Sequence, residues 1–197
     1  MYSQRDEETH ILQFFRETEK GRFLDVGVYD GKLFSTTRAL AQKGWGGVLI
    51  EPSPSVLPAL RELYKDSPQH TIIEKGVGLE SKTQLFYDSR GDAISSFDID
   101  HKILWEKKGG TVYDEIFIEI LSVDDLFAQI GYDFQFINLD AEAWSLDILE
   151  VLPFDKLTKV KMICVEFDHA IDRVMNAVEK HGFKLLHQTA ENMLVVR

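Results

Sequence analysis

Cysteine is almost missing from this 197-residue chain, where Cys164 stands alone. One thiol cannot close an intramolecular disulfide or build a cysteine-rich zinc site, and its place in Met162-Ile-Cys-Val165 suits a small core residue. Basic charge is also scarce: 22 Lys and Arg against 33 Asp and Glu leave a net charge of −11. Nucleic-acid backbones select the opposite balance, so no nucleic-acid partner is expected, and the acidity is read as serving solubility. No apolar run approaches the ~20 residues of a membrane-spanning helix. Met1-Tyr-Ser-Gln-Arg-Asp6 opens without an apolar leader, so the cytoplasm is the expected compartment. Gly-x-Gly-x-x-Gly is missing too, as is the Gly-Lys-Ser/Thr ending of a triphosphate cradle, which disfavours dinucleotides and nucleoside triphosphates as ligands. The remainder, 44% hydrophobic and 28% charged, is ordinary for a globular chain. A single domain over 1–197 is expected, without repeats or linkers, and nothing fixes an oligomeric state.

What is there begins with Phe23-Leu-Asp-Val-Gly-Val-Tyr-Asp-Gly31 and Gly47-Val-Leu-Ile-Glu51-Pro52. These read as a strand, a glycine loop, a helix and a second strand ending in an acid, the first half of a nucleotide-type site. Asp25 falls at the carboxyl end of the first strand. Gly27 and Gly31 are expected to let the backbone pass beneath a ligand. Glu51, at the end of the second strand, is placed to accept both hydroxyls of a ribose. A ligand with a ribose and a cationic end but no phosphate fits this pattern, and S-adenosylmethionine is the common one.

Elsewhere the chain alternates. Residues 3–20 read as an amphipathic helix capped by Ser3, so 1–21 forms an N-terminal helical segment. Helices are also expected from Leu33 to Ala41, after Pro52-Ser-Pro54, from Ser122 to Gln129, from Ser145 to Val151 and around Ile171–Val178. Strands are expected at 22–26, 47–50, 71–74, 134–139, 160–166, 183–187 and 192–196. The short link between the last two forces them antiparallel, while the earlier crossovers imply parallel pairing. The fold class is therefore α/β, a Rossmann-like, mostly parallel sheet with a C-terminal antiparallel hairpin and helices on both faces. Residues 78–121 interrupt it with two strands (83–87 and 113–121) around a polar loop, Asp88 to Gly110. That insertion, with Ser95 and Ser96, is the expected acceptor-binding region.

With these motifs in order, the chain resembles the FkbM family of S-adenosylmethionine-dependent methyltransferases from about Phe23 onward. The similarity rests on Leu24-Asp-Val-Gly-Val-Tyr-Asp-Gly31, Ile50-Glu-Pro-Ser-Pro54, Glu74-Lys-Gly-Val77, Leu121-Ser-Val-Asp-Asp-Leu126, Phe136-Ile-Asn-Leu-Asp-Ala-Glu142 and Val165-Glu166. It departs where the family's loop Asn is Tyr29, its Lys is Asn138 and its Gly is Ala143. The resemblance implies methyl transfer to an oxygen of a small-molecule or carbohydrate-type acceptor. Asp25, Gly27, Tyr29, Gly31, Glu51, Pro52, Gly76, Val77 and Asp140 are the expected cofactor residues. Asp140, Glu142, Glu166 and His169 are the candidates for catalysis, His169 because its ordinary pKa suits a base near neutrality. Glu166 and Asp168 alternate along one strand end, so only one of them can easily face the site. A metal-free site is preferred over a divalent ion on Asp140, Glu142, Asp168 and His169. Two further readings compete: a cofactor-binding scaffold without activity, and a nicotinamide oxidoreductase on the same sheet.

Overall fold

The computed structural model describes residues 1–197. Its centre is a seven-stranded sheet in the order β3-β2-β1-β7-β8-β10-β9. The strands are β1 (Arg22–Val26), β2 (Gly46–Ile50), β3 (His70–Ile73), β7 (Phe136–Leu139), β8 (Met162–Glu166), β9 (Lys184–Gln188) and β10 (Asn192–Val196). The five from β3 to β8 pair in parallel, and β10 inserts antiparallel between β8 and β9. The mostly parallel sheet and terminal hairpin expected from the sequence are both present.

Period-two alternation explains why this sheet is covered on both faces. Leu24, Val26, Ile137, Leu139, Ile163, Val165, Met193 and Val195 point into one apolar layer. Their neighbours Phe23, Phe136, Met162, Cys164, Leu194 and Val196 point into the other, against Ile11, Phe15, Leu40 and Trp45. Cys164 is a buried core residue, as expected. The helices are α1 (Glu7–Phe14), α2 (Arg38–Gln42), α3 (Leu57–Tyr64), α5 (Val123–Ile130), α6 (Ser145–Glu150) and α7 (Ile171–Val178). None, nor α4 below, is long and apolar enough to cross a membrane.

Three expectations need correction. The N-terminal helix is short: Ser3 lies outside it, bridging to Phe34, and its Oγ accepts from the Glu8 amide at 3.1 Å. The helix expected from Leu33 begins only at Arg38, because Phe34 is left-handed (φ 60°) and Ser35 Oγ caps the Thr37 and Arg38 amides. The polar stretch 88–110 is not a loop throughout. It contains α4 (Ile99–Gly109), whose N-cap Asp98 accepts from the His101 amide at 2.8 Å and whose C-cap Gly110 has φ 67°. No residue of α4 is buried, so it carries no apolar stripe for periodicity to reveal.

The insertion also builds a second sheet. The three-residue β4 (Gly76–Gly78) runs parallel to β6 (Asp114–Ser122), which pairs antiparallel with β5 (Lys82–Asp88). Strand order in the main sheet reverses between β1 and β7, and the small sheet stands beside the carboxyl ends there. In open α/β sheets such a reversal opens a crevice for ligands.

Candidate active site

A cavity of about 490 Å³ occupies that crevice, within the roughly 300–1,000 Å³ of small-molecule sites. Asp25 and Val26 enter it from β1, Glu51 and Pro52 from the end of β2, Asn138 and Asp140 from β7 and Glu166 from β8. Gly76 and Val77 line it from β4, and Ser95, Ser96, Phe97 and Trp105 line it from the insertion. Seven acidic side chains and a single base, Lys75, face this space, and Lys75 is already paired with Glu119 at 2.5 Å.

The acids on the β1–β2 side are held by neutral hydrogen bonds. Asp25 accepts from Asn138 Nδ2 at 2.8 Å and from the Thr37 hydroxyl. This follows from register, since Asp25 and Asn138 are partners on adjacent parallel strands. Glu51 accepts from the backbone amides of Tyr29 and Ser53, each at 2.8 Å. Burial nonetheless pushes Asp25 up to about 6 and Glu51 up to about 7, against the pull of those hydrogen bonds.

On the β7–β8 side the acids crowd one another. Burial first, then the charge of Glu142, raises Asp140; burial and then the charge of Asp140 raises Glu166. Each of the two therefore favours its protonated form more than an exposed carboxyl would. Glu142 adopts a left-handed backbone (φ 52°), and its Oε2 lies 3.1 Å from His101 Nε2. The same imidazole nitrogen meets Trp105 Nε1 at 2.9 Å, while His101 Nδ1 is buried without a partner. Three of the six left-handed non-glycine residues, Tyr29, Phe34 and Glu142, line the cavity, where such backbone strain tends to gather.

Of the residues singled out in the sequence, Asp25, Gly27, Tyr29, Glu51, Pro52, Gly76, Val77, Ser95, Ser96, Asp140, Glu142 and Glu166 share this cavity. Gly31 and His169 do not line it. Gly31 packs on α3, where a Cβ would fall 2.7 Å from Leu60 Cδ1. His169 sits in the turn after β8 with φ 61°, edge-on to Phe167. Of the alternating pair, Glu166 faces the cavity and Asp168 does not. The room left by the loop glycines serves the protein itself: a Cβ on Gly27 would lie 1.7 Å from the Asp140 carbonyl oxygen. Sequence reasoning gave no site role to His101, Phe97 or Thr37, and took Trp105 only as part of the acceptor-binding stretch. Asp98, three residues before His101, and the Gly109-Gly110 stop were the available signals for the helix that carries His101 and Trp105.

Residues 25–185 match the Methyltransferase FkbM domain. The chain belongs to that family. The structural comparisons agree on the fold. A methyltransferase FkbM from Methylobacillus flagellatus KT superimposes with a TM-score of 0.61 at 16% identity, covering 99% of this chain and 48% of its own. Monomeric WbdD gives 0.53 at 11% identity, with 98% and 41% covered. An rRNA methylase from Streptococcus thermophilus gives 0.51 at 12%, with 98% and 95% covered. The chain thus spans about half the length of the first two. No curated protein matches it by sequence.

An FkbM-family methyltransferase domain uses S-adenosylmethionine as its cofactor, and the nicotinamide reading is set aside. The cavity fits such a ligand on its own evidence. Buried carboxylates with no cation beside them are costly, and a ligand carrying an ammonium and a sulfonium supplies the missing positive charge.

Proposed function

We propose that this FkbM-type domain methylates a hydroxyl oxygen of a small-molecule or carbohydrate-type acceptor. The observation that carries this reading is the division of the cavity. One half is lined by acids fixed in hydrogen bonds from neutral donors, the other by crowded acids, raised by burial and by one another's charge, beside an aromatic wall.

In this reading Glu51 receives the ribose hydroxyls of the cofactor, and Asp25 and Asp140 face its cationic end. Tyr29, Pro52, Gly76 and Val77 bound the rest of the cofactor space. When bound, S-adenosylmethionine supplies the electrophilic methyl group. The chain's own task is to align the acceptor, which can be worth several kcal/mol, about 7–11 in the best cases, and to take its proton. Glu142 is the base in this reading, packed against the His101 ring, whose Nε2 accepts the Trp105 indole N–H. Asp140 and Glu166, both raised by burial and by mutual repulsion, resist carrying full negative charge on that side of the cavity. Phe97 and Trp144 stack with centroids 5.1 Å apart and planes 14° apart, and both border the cavity. A flat apolar wall of this kind suits the C–H face of a sugar ring, and Ser95 and Ser96 beside it offer hydroxyls to polar edges.

Calorimetric titration with S-adenosylhomocysteine, with NADH as comparison, tests the cofactor half. Micromolar binding of the first and none of the second is expected, and absence of the first would remove the reading. The acceptor half is tested by incubating labelled cofactor with a panel of sugars and small alcohols. Label on nitrogen or carbon acceptors alone would refute the oxygen assignment.

A further inference from the structure

The histidines lie scattered in the sequence, yet the fold stacks two of them. His10 on α1 and His187 on the edge strand β9 have ring centroids 3.8 Å apart and planes 20° apart. Both Nε2 atoms face one carboxylate: His187 Nε2 is 2.9 Å from Asp6 Oδ1, and His10 Nε2 is 3.5 Å from Asp6 Oδ2. One ligand atom from each of the three residues falls within 4.8 Å of the others.

We propose that Asp6, His10 and His187 bind one divalent transition-metal ion of the zinc class, which staples the N-terminal segment to the C-terminal hairpin. The spacing suits such an ion. Zinc lies roughly 2.0–2.1 Å from imidazole nitrogen and carboxylate oxygen, so tetrahedral neighbours stand about 3.3 Å apart. Each imidazole nitrogen lies within a few tenths of an ångström of that distance from one Asp6 oxygen, Oδ1 for His187 and Oδ2 for His10, so small side-chain rotations bring a common oxygen to both. Two imidazoles and a carboxylate form a borderline donor set, which favours zinc, copper or nickel over magnesium or calcium. Three protein ligands leave a fourth position for water. The side chains of His10 and His187 remain 32% and 25% exposed, enough for each ring to turn its lone pair toward an ion without unfolding.

The surroundings do not compete for the site. Arg5, next to Asp6 in the chain, is engaged by Glu191 at 3.2 Å. Glu7, beneath the cluster, is fully buried and accepts from Thr189 Oγ1 at 2.9 Å and Asn192 Nδ2 at 3.2 Å. The two chain ends are therefore already joined by hydrogen bonds to Glu7 and by the Arg5–Glu191 ion pair, and an ion would lock that joint. Gln4 and Glu191, which flank it, also line the cavity, so the staple restrains one rim of the cofactor site. It stands apart from the acidic mouth and does not depend on the acceptor.

The test uses the full chain stripped of metal. Zinc chloride is titrated by calorimetry, cobalt chloride by visible absorption, and magnesium chloride serves as comparison. One equivalent of zinc is expected at micromolar affinity or tighter, with the absorption bands of tetrahedral cobalt and no magnesium binding at the same concentration. His10→Gln and His187→Gln should each weaken zinc by roughly tenfold or more, and Asp6→Asn less, while melting in chelator stays at the parent value. Three results would overturn the proposal: no zinc binding, magnesium binding as tight as zinc, or zinc binding that survives the His10→Gln/His187→Gln double variant. Loss of zinc in Glu142→Gln/Glu166→Gln instead would place the ion in the acidic mouth and overturn it as well.

Discussion

The two halves of the cavity spend their acids differently. On the β1–β2 side, Asp25 and Glu51 are gripped by Thr37, Asn138 and two backbone amides. Each carboxylate there has a fixed direction, with both of its oxygens engaged. On the β7–β8 side, Asp140, Glu142 and Glu166 repel one another, and one of them leans on an imidazole. Fixed acceptors hold a ligand in place; crowded carboxyls can change protonation with little motion. The contrast matches the proposed division between a half that holds the cofactor and a half that takes the acceptor's proton.

The largest way to break that contrast is at Gly27, where the halves touch. Gly27→Ala forces a Cβ into the Asp140 carbonyl at φ 82°, and a loss of several kcal/mol, about 3 or more, is expected. Circular dichroism should show little folded protein, or a melting temperature lower by ~10 °C. Next, Glu51→Gln should weaken S-adenosylhomocysteine binding by roughly tenfold or more in calorimetry. The melting temperature should hold or rise, because a buried acid becomes neutral. If affinity is unchanged, the holding half has been misassigned.

Third comes pH. The folded pKa values of Asp25 and Glu51 lie above their ordinary ones, at about 6 and about 7. The folded state therefore binds more protons than the unfolded state between pH ~4 and ~7, and the free domain should lose stability as pH rises through that window. Cofactor binding should strengthen over the same range and release protons, which calorimetry in buffers of different ionisation enthalpy would read. Fourth, Glu142→Gln or His101→Gln should cut turnover by about 10²-fold while cofactor affinity stays within about threefold. Smallest of all, Lys75→Met removes a partly exposed pair and should shift cofactor affinity by no more than about threefold.

The holding half was largely legible because its logic is local. Strand β1 was expected over its full length, Glu51 falls at the end of β2, and the acid-glycine spacing needs no tertiary knowledge. The other half was only partly legible. Asp140, Glu142 and Glu166 sit at strand ends and were found. His101 and Trp105 ride on a helix with no buried residue, so hydrophobic periodicity had nothing to register. His169 drew attention through its ordinary pKa, which says nothing about where a turn points it. Thr37 was assigned to a helix, but the left-handed Phe34 delays that helix and frees the Thr37 hydroxyl for Asp25. Glu7, fully buried against the C-terminal hairpin, could not be told from an exposed acid until both chain ends were in place.

The contact between Gly27 and Asp140 changes what the glycine of this motif can be said to report. With its missing Cβ filled by the carbonyl oxygen of a neighbouring strand, the position records whether β1 and β7 close, whatever ligand sits above them. A descendant that lost methyl transfer would still be compelled to keep it, because the two strands could not close over a side chain there. The glycine thus reports the closure of the sheet before it reports any ligand.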